Sequence, residues 1–184
     1  MPSARLKSAG IVAGLAPPDI SPKGGDIGPK TTRYMFRYFP NLIAQLSDSR
    51  VGKLARMDDP IPMQDMWYSG FKDYKGIDQD IISSREYSNF MGNLFRQAFR
   101  QGWKGFAEDG KLLHRTWDFK LEDVEHGQVG FYYGDNDVHT PPHMGREMQK
   151  RVQGSRYTEY KDATHLNLVH VHGKAILENI AEHL

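Results

Sequence analysis

The apolar positions of this chain change period along its length. Residues 5–14, RLKSAGIVAG, bring small and β-branched side chains together and stop at a Gly/Pro cluster, the pattern of a buried strand entering a loop. Glycines and prolines from Pro17 to Lys30 predict an irregular connection. From Thr31 to Arg56 the period becomes helical, with Tyr34, Tyr38, Leu42 and Leu46 at i, i+4 spacing, Thr32 a candidate cap and Pro40 set to kink or split the helix. A second long helix is predicted over Asp78 to Gln101, with Ile82, Tyr87, Phe90, Leu94 and Phe95 as its apolar side and Gly102 at its end. Residues 103–125 are mixed, and Trp103, Phe106, Trp117 and Phe119 supply aromatic bulk.

The last third reads strand, helix, strand, helix. Gln128–Tyr133 is a short apolar and aromatic run, Pro141–Val152 is helical with prolines in its first turn, and Tyr157–Tyr160 is a short strand. Leu166–Leu184 is a helix carrying Leu166, Val169, Ile176, Leu177 and Ile180. Such alternation predicts an α/β class with parallel strands, crossover connections and helices packed on the sheet. Three segments follow: residues 1–29, a core strand and its connection; 30–115, helical; and 116–184, an α/β segment. No internal repeat or low-complexity tract occurs.

Composition narrows the function classes. With 24 Lys and Arg against 23 Asp and Glu, the net charge of +1 gives no field to recruit nucleic acid or an anionic membrane. No cysteine is present, so disulfide scaffolds, thiolate nucleophiles and cysteine-ligated metals are excluded, and a cytoplasmic location is the expectation. The apolar run Gly10 to Leu15 is too short to span a membrane and a poor signal-peptide core.

Candidate chemistry collects at two strand ends. Phe131-Tyr-Tyr-Gly-Asp-Asn-Asp-Val-His-Thr-Pro-Pro142 runs from a strand through a polar turn into a helix, and Asp162-Ala-Thr-His-Leu-Asn-Leu168 does the same after the next strand. Parallel α/β sheets place their sites at these carboxyl ends. Asp135, Asp137 and His165 are therefore brought to one end of the sheet, where an acid can fix an imidazole tautomer for base catalysis. Ser69 and Ser155 lack the context of an activated nucleophile, and the pairs His139/His143 and His170/His172 lack a third metal ligand. Arg96, Arg100 and Lys104 read as a solvated helix face. Tyr34, Met35, Phe36, Tyr38, Phe39, Met63, Met66, Trp67 and Phe71 read as core, with some lining a pocket for an apolar acyl or alcohol group.

Gly134-Asp-Asn-Asp137 followed by Thr140-Pro141 resembles the acid loop of α/β-hydrolases, and Ala163-Thr-His165-Leu resembles their histidine loop, in the family's chain order. More loosely, Arg5–Gly14 resembles the sixth strand of that fold, Lys30–His114 its helical cap insertion, and Trp117-Asp-Phe-Lys-Leu-Glu-Asp123 the return from cap to core. The resemblance implies the last three parallel strands with flanking helices, Asp137 as triad acid, Asp135 as a turn or capping residue, His165 as general base, a small apolar ester-like substrate, and no cofactor or metal. Two family features are missing: no Gly-x-Ser-x-Gly occurs, and no Gly-rich loop supplies oxyanion donors. Met1-Pro-Ser-Ala-Arg-Leu-Lys-Ser8 resembles the end of the helix that follows the nucleophile, which makes Met1 an internal methionine of a longer parent and predicts a Gly-x-Ser-x-Gly encoded upstream. Hydrolysis by this chain alone is then expected to be absent. The alternatives are a binding or regulatory protein that meets a partner chain at its first-strand edge, and a truncated gene product of low stability.

Overall fold

A computed structural model describes residues 7–20, 27–124 and 128–182, with only the backbone given for 27–30 and 32. Arg5 and Leu6 of the first-strand reading, and most of the segment resembling a post-nucleophile helix, lie outside the described residues. Those described form two compact units, one comprising the residues up to Lys30 with those from Thr116 onward, the other Thr31–Arg115.

The first unit is built on three parallel strands in the order β1 (Ala9–Val12), β2 (Val129–Gly134), β3 (Arg156–Tyr160). Ile11 lies opposite Phe131, and Phe131 opposite Tyr157. The central strand β2 is buried at all six positions, because helices cover both of its faces. Val129, Phe131 and Tyr133 meet Met144, Met148 and Val152 at helix α8 (Pro142–Arg151), whereas Tyr132 meets Leu168 and Ile176 of α9 (Leu168–Ala181). A two-sided parallel strand needs this unbroken apolar and aromatic run. Gly145 lets α8 approach: a Cβ there would lie 2.3 Å from the Tyr133 ring.

The second unit is helical. It contains α1 (Ile27–Tyr38) from Thr31 onward, α2 (Pro40–Ser47), a π turn over 48–52, α3 (Lys53–Ala55), α4 (Ile61–Phe71), α5 (Gln79–Ile82), α6 (Arg85–Ala98) and α7 (Trp103–His114). Pro40 splits the first helix, as its missing N–H requires. Ala55, Met63 and Phe99 form a core with Trp67, Phe95 and Phe106 around it.

Several expectations for the helices are corrected. Helix α1 begins inside the stretch read as irregular, and Thr32 lies within it rather than capping it. The single helix over Asp78–Gln101 is two: Ser84 takes an extended conformation and its hydroxyl caps α6 by accepting from Tyr87 N–H. Helix α4 and helix α7, the latter within the stretch 103–125 read as mixed, add two helices not predicted from the sequence. The stripe Tyr34, Tyr38, Leu42, Leu46 faces outward, each residue at least half exposed, as are Phe90 and Leu94. Buried instead are Phe36, Ala44, Ser88, Gly92, Ala107 and Gly110. Gly102, with φ of 84°, separates α6 from α7, so Arg96 and Lys104 share no helix face. Arg96 is not merely solvated, since its guanidinium donates to the carbonyls of Met57 and Asp58. Val169 and Leu177 of α9, read as apolar-side residues, are exposed too.

Candidate acid and histidine site

The carboxyl ends of β2 and β3 hold the site. Past β2 the chain turns at Gly134 and is stitched to the next loop, with Asp135 N–H donating to Tyr160 O and Asn136 N–H to Ala163 O. Glycine is required at 134, because a Cβ would sit 2.2 Å from the Ala163 carbonyl oxygen. The two loops can touch only for that reason.

Asp137 and His165 are brought together. His165 Nδ1 lies 2.9 Å from Asp137 Oδ2; the carboxylate side chain is wholly buried and the imidazole 36% exposed. The other carboxylate oxygen, Oδ1, accepts from the backbone N–H groups of His139 and Thr140, each at 2.8 Å. Thr140 Oγ1 lies 2.8 Å from Oδ2 and 3.1 Å from His165 Nδ1. Burial pushes the Asp137 carboxyl up, but the hydrogen bond and charge of His165 and the two donors of Thr140 outweigh it, so the group stays below its ordinary value and ionised at neutral pH.

The histidine sits in a turn with its own supports. Thr164 Oγ1 accepts from the N–H groups of Leu166 and Asn167, while Asn167 Oδ1 accepts from Thr164 N–H. Asp162 takes a left-handed φ of 57° at the start of this turn. Beyond β1, Ala13 also has a left-handed φ, 46°, and its carbonyl faces Thr140 Oγ1 at 3.0 Å. The Gly14 carbonyl accepts from the Tyr133 hydroxyl.

The other candidates fall elsewhere. Asp135 is exposed, and its carboxylate accepts from Asn136 Nδ2. Ser155 is buried at the end of α8, where its hydroxyl donates to Val152 O, and Ser69 is exposed on α4. His172 stacks on Tyr160 and His170 is exposed. His143 lies in α8 and His139 before it, so the two are not paired along one helix; the His139 ring instead meets His165 edge-on at 5.3 Å. Among the described residues no three His, Asp or Glu side chains converge on a point that could hold a metal. None of the described helices is long and apolar enough to cross a membrane. Thr140, which contacts both Asp137 and His165, was not singled out in the sequence; its place three residues after Asp137, where a hydroxyl can return to the carboxylate, was the available signal.

No protein-family model and no curated protein matches the sequence. Solved structures do match by fold. BpoC of Mycobacterium tuberculosis H37Rv, provisionally assigned as a non-heme bromoperoxidase, aligns over 97% of this chain and 57% of its own, with 17% identity and a TM-score of 0.50. An alpha/beta hydrolase fold protein from Nakamurella multipartita aligns over 97% of this chain and 61% of its own, with 16% identity and a TM-score of 0.51. The chain thus spans well under two thirds of the proteins it matches. Three parallel strands in one sheet, flanking helices and a helical unit give this chain part of an α/β-hydrolase fold, its C-terminal portion.

Proposed function

We propose that Asp137 and His165 are the acid and the general base of a serine-hydrolase triad whose nucleophile lies outside this chain. The observation that carries this reading is the 2.9 Å contact between His165 Nδ1 and the buried, ionised Asp137 carboxylate. A carboxylate at Nδ1 selects the tautomer whose Nε2 is free to take a proton, and it stabilises the imidazolium that results. The substrate class is an ester or related acyl bond with a small apolar group, in keeping with the hydrolase fold. Neither Ser155, which is committed to a helix-end carbonyl, nor Ser69, exposed in the other unit, has an elbow turn behind it. Without a nucleophile and oxyanion donors the chain alone does not turn substrate over. The test is an assay of the 184-residue protein with p-nitrophenyl esters of short and long acyl chains. No turnover attributable to His165 is expected, and turnover abolished by His165→Ala contradicts the reading.

A second reading is a binding or regulatory protein that docks a partner strand on β1. It is favoured by one observation: among the described residues β1 pairs on one side only, which leaves backbone groups open to strand addition. Strictly monomeric sedimentation without partner capture counts against it.

A further inference from the structure

We propose that Thr140 is a positioning residue that fixes the tautomer and ring orientation of His165 and ties the imidazole to the carboxyl end of β1. This rests on the acid and base reading of Asp137 and His165. The reasoning starts from one proton and three neighbours. Thr140 Oγ1 lies 2.8 Å from Asp137 Oδ2, 3.0 Å from the Ala13 carbonyl oxygen and 3.1 Å from His165 Nδ1. A hydroxyl has a single proton to give and two lone pairs to offer. Carboxylate and carbonyl oxygens can only accept, and an oxygen held at 2.8 or 3.0 Å from another is repelled unless a proton lies between them. The hydroxyl proton is therefore committed to Asp137 Oδ2 and Ala13 O.

None is left for His165. The 3.1 Å contact between Oγ1 and Nδ1 is attractive only when Nδ1 carries the hydrogen. That hydrogen is then shared between Asp137 Oδ2, at 2.9 Å, and Thr140 Oγ1. In the opposite tautomer the bare Nδ1 lone pair would face a carboxylate oxygen and a hydroxyl oxygen whose proton is already committed. Thr140 adds its force to Asp137 in excluding that state. Its backbone N–H meanwhile holds the carboxylate's other oxygen, so one residue restrains both oxygens of the acid and one nitrogen of the base.

The third partner extends the role. Ala13 takes a left-handed backbone at the end of β1 while its N–H stays bonded to Tyr132 O. Its carbonyl is turned to the Thr140 hydroxyl, so the end of β1 and the histidine share one hydrogen-bonding group.

The experiment is NMR of the full chain labelled with 15N-histidine, in which the ring-nitrogen shifts report the tautomer. In the wild type His165 carries its proton on Nδ1. Thr140→Val keeps the side-chain shape and removes the hydroxyl; the population of the Nε2–H tautomer is expected to rise about fivefold, the factor for one hydrogen bond of ordinary net strength. Thr140→Ser restores the hydroxyl and the wild-type shifts. Unchanged His165 shifts in a folded Thr140→Val protein overturn the proposal, and so does a wild-type His165 with Nδ1 bare, a result that needs no variant to fold. Asp137→Asn separates the two levels. If it alters the His165 shifts and Thr140→Val does not, only the role of Thr140 falls; if Asp137→Asn leaves them unaltered, the acid and base reading falls and this proposal with it.

Discussion

The sheet unit and the helical unit bury their cores by different means. Strand β2 is sandwiched between α8 and α9, so its large side chains point inward on both faces and the run Val129–Tyr133 is buried in full. The helices of the other unit meet through aromatic side chains around Met63 and Phe99 and, in places, through small residues. A Cβ on Gly92 of α6 would lie 2.9 Å from the Gln64 backbone, and one on Gly110 of α7 would lie 2.1 Å from the Phe36 ring. The bulky stripes of α1, α2 and α6 point outward. In the sheet unit one unbroken apolar run marks the core; in the helical unit Met63, Phe95, Phe99 and Phe106 share the contacts with glycine, alanine and serine, and other bulky side chains lie outside.

The largest expected effect tests that difference with one truncation in each unit. Phe131→Ala removes a wholly buried ring from β2 and is expected to cost about 3–5 kcal/mol in chemical denaturation. Leu42→Ala, in the outward stripe of α2, is expected to change stability by no more than about 0.5 kcal/mol. Comparable losses at the two positions would erase the contrast.

Two glycines on one helix give the next effect, of opposite sign. Gly110→Ala drives a methyl into the Phe36 ring and is expected to destabilise the helical unit by about 1–3 kcal/mol. Gly105→Ala meets nothing within 4 Å and is expected to stabilise α7 by about 0.5–1 kcal/mol through helix propensity. Thermal unfolding followed by circular dichroism reads both signs, and stabilisation by Gly110→Ala would show that the helices do not meet there.

The smallest effects are in the pH dependence, and the units differ in where it falls. Asp137 has its folded value depressed, so the unfolded chain binds the proton more readily; the stability it adds is complete above the unfolded value of about 3.9 and is lost as pH falls through the lower folded value. His114, stacked on Phe36 with Nδ1 2.7 Å from Gly110 O, is lowered by burial and by the charge of Arg33. Folding there favours the neutral ring, so stability declines as pH falls through the unfolded value of about 6.5 and levels off below the folded one. Denaturation curves between pH 3 and pH 8 should lose the higher-pH slope in His114→Gln and the acid slope in Asp137→Asn. An unchanged profile in either variant would mean that the residue does not titrate with folding.

The same contrast explains what the sequence made legible. The three strands were readable because β-branched and aromatic runs stop at turn residues, and α8 because prolines mark its first turn; α9 was readable as a helix although Val169 and Leu177 of its supposed apolar side are exposed. Asp137 and His165 were readable because each stands at a fixed place in a loop that follows a strand. Helices α4 and α7 were not, since apolar residues also stand on their outward sides, Ile61 on α4 and Leu112 and Leu113 on α7, and blur the period. Thr140 was read only as part of the acid-loop match, because its further contacts are to Ala13 and His165, residues distant in sequence. Its short-range bond to Asp137 was visible in the spacing, but these two distant contacts were not.

The central claim is that Asp137, and not its neighbour Asp135, holds the histidine. The most direct measurement is the far-downfield proton NMR signal of His165 Nδ1–H, assigned by its loss in His165→Gln. The structure predicts that Asp137→Asn abolishes or strongly shifts this signal and that Asp135→Asn leaves it in place. A signal that survives Asp137→Asn unchanged and vanishes in Asp135→Asn would contradict the account.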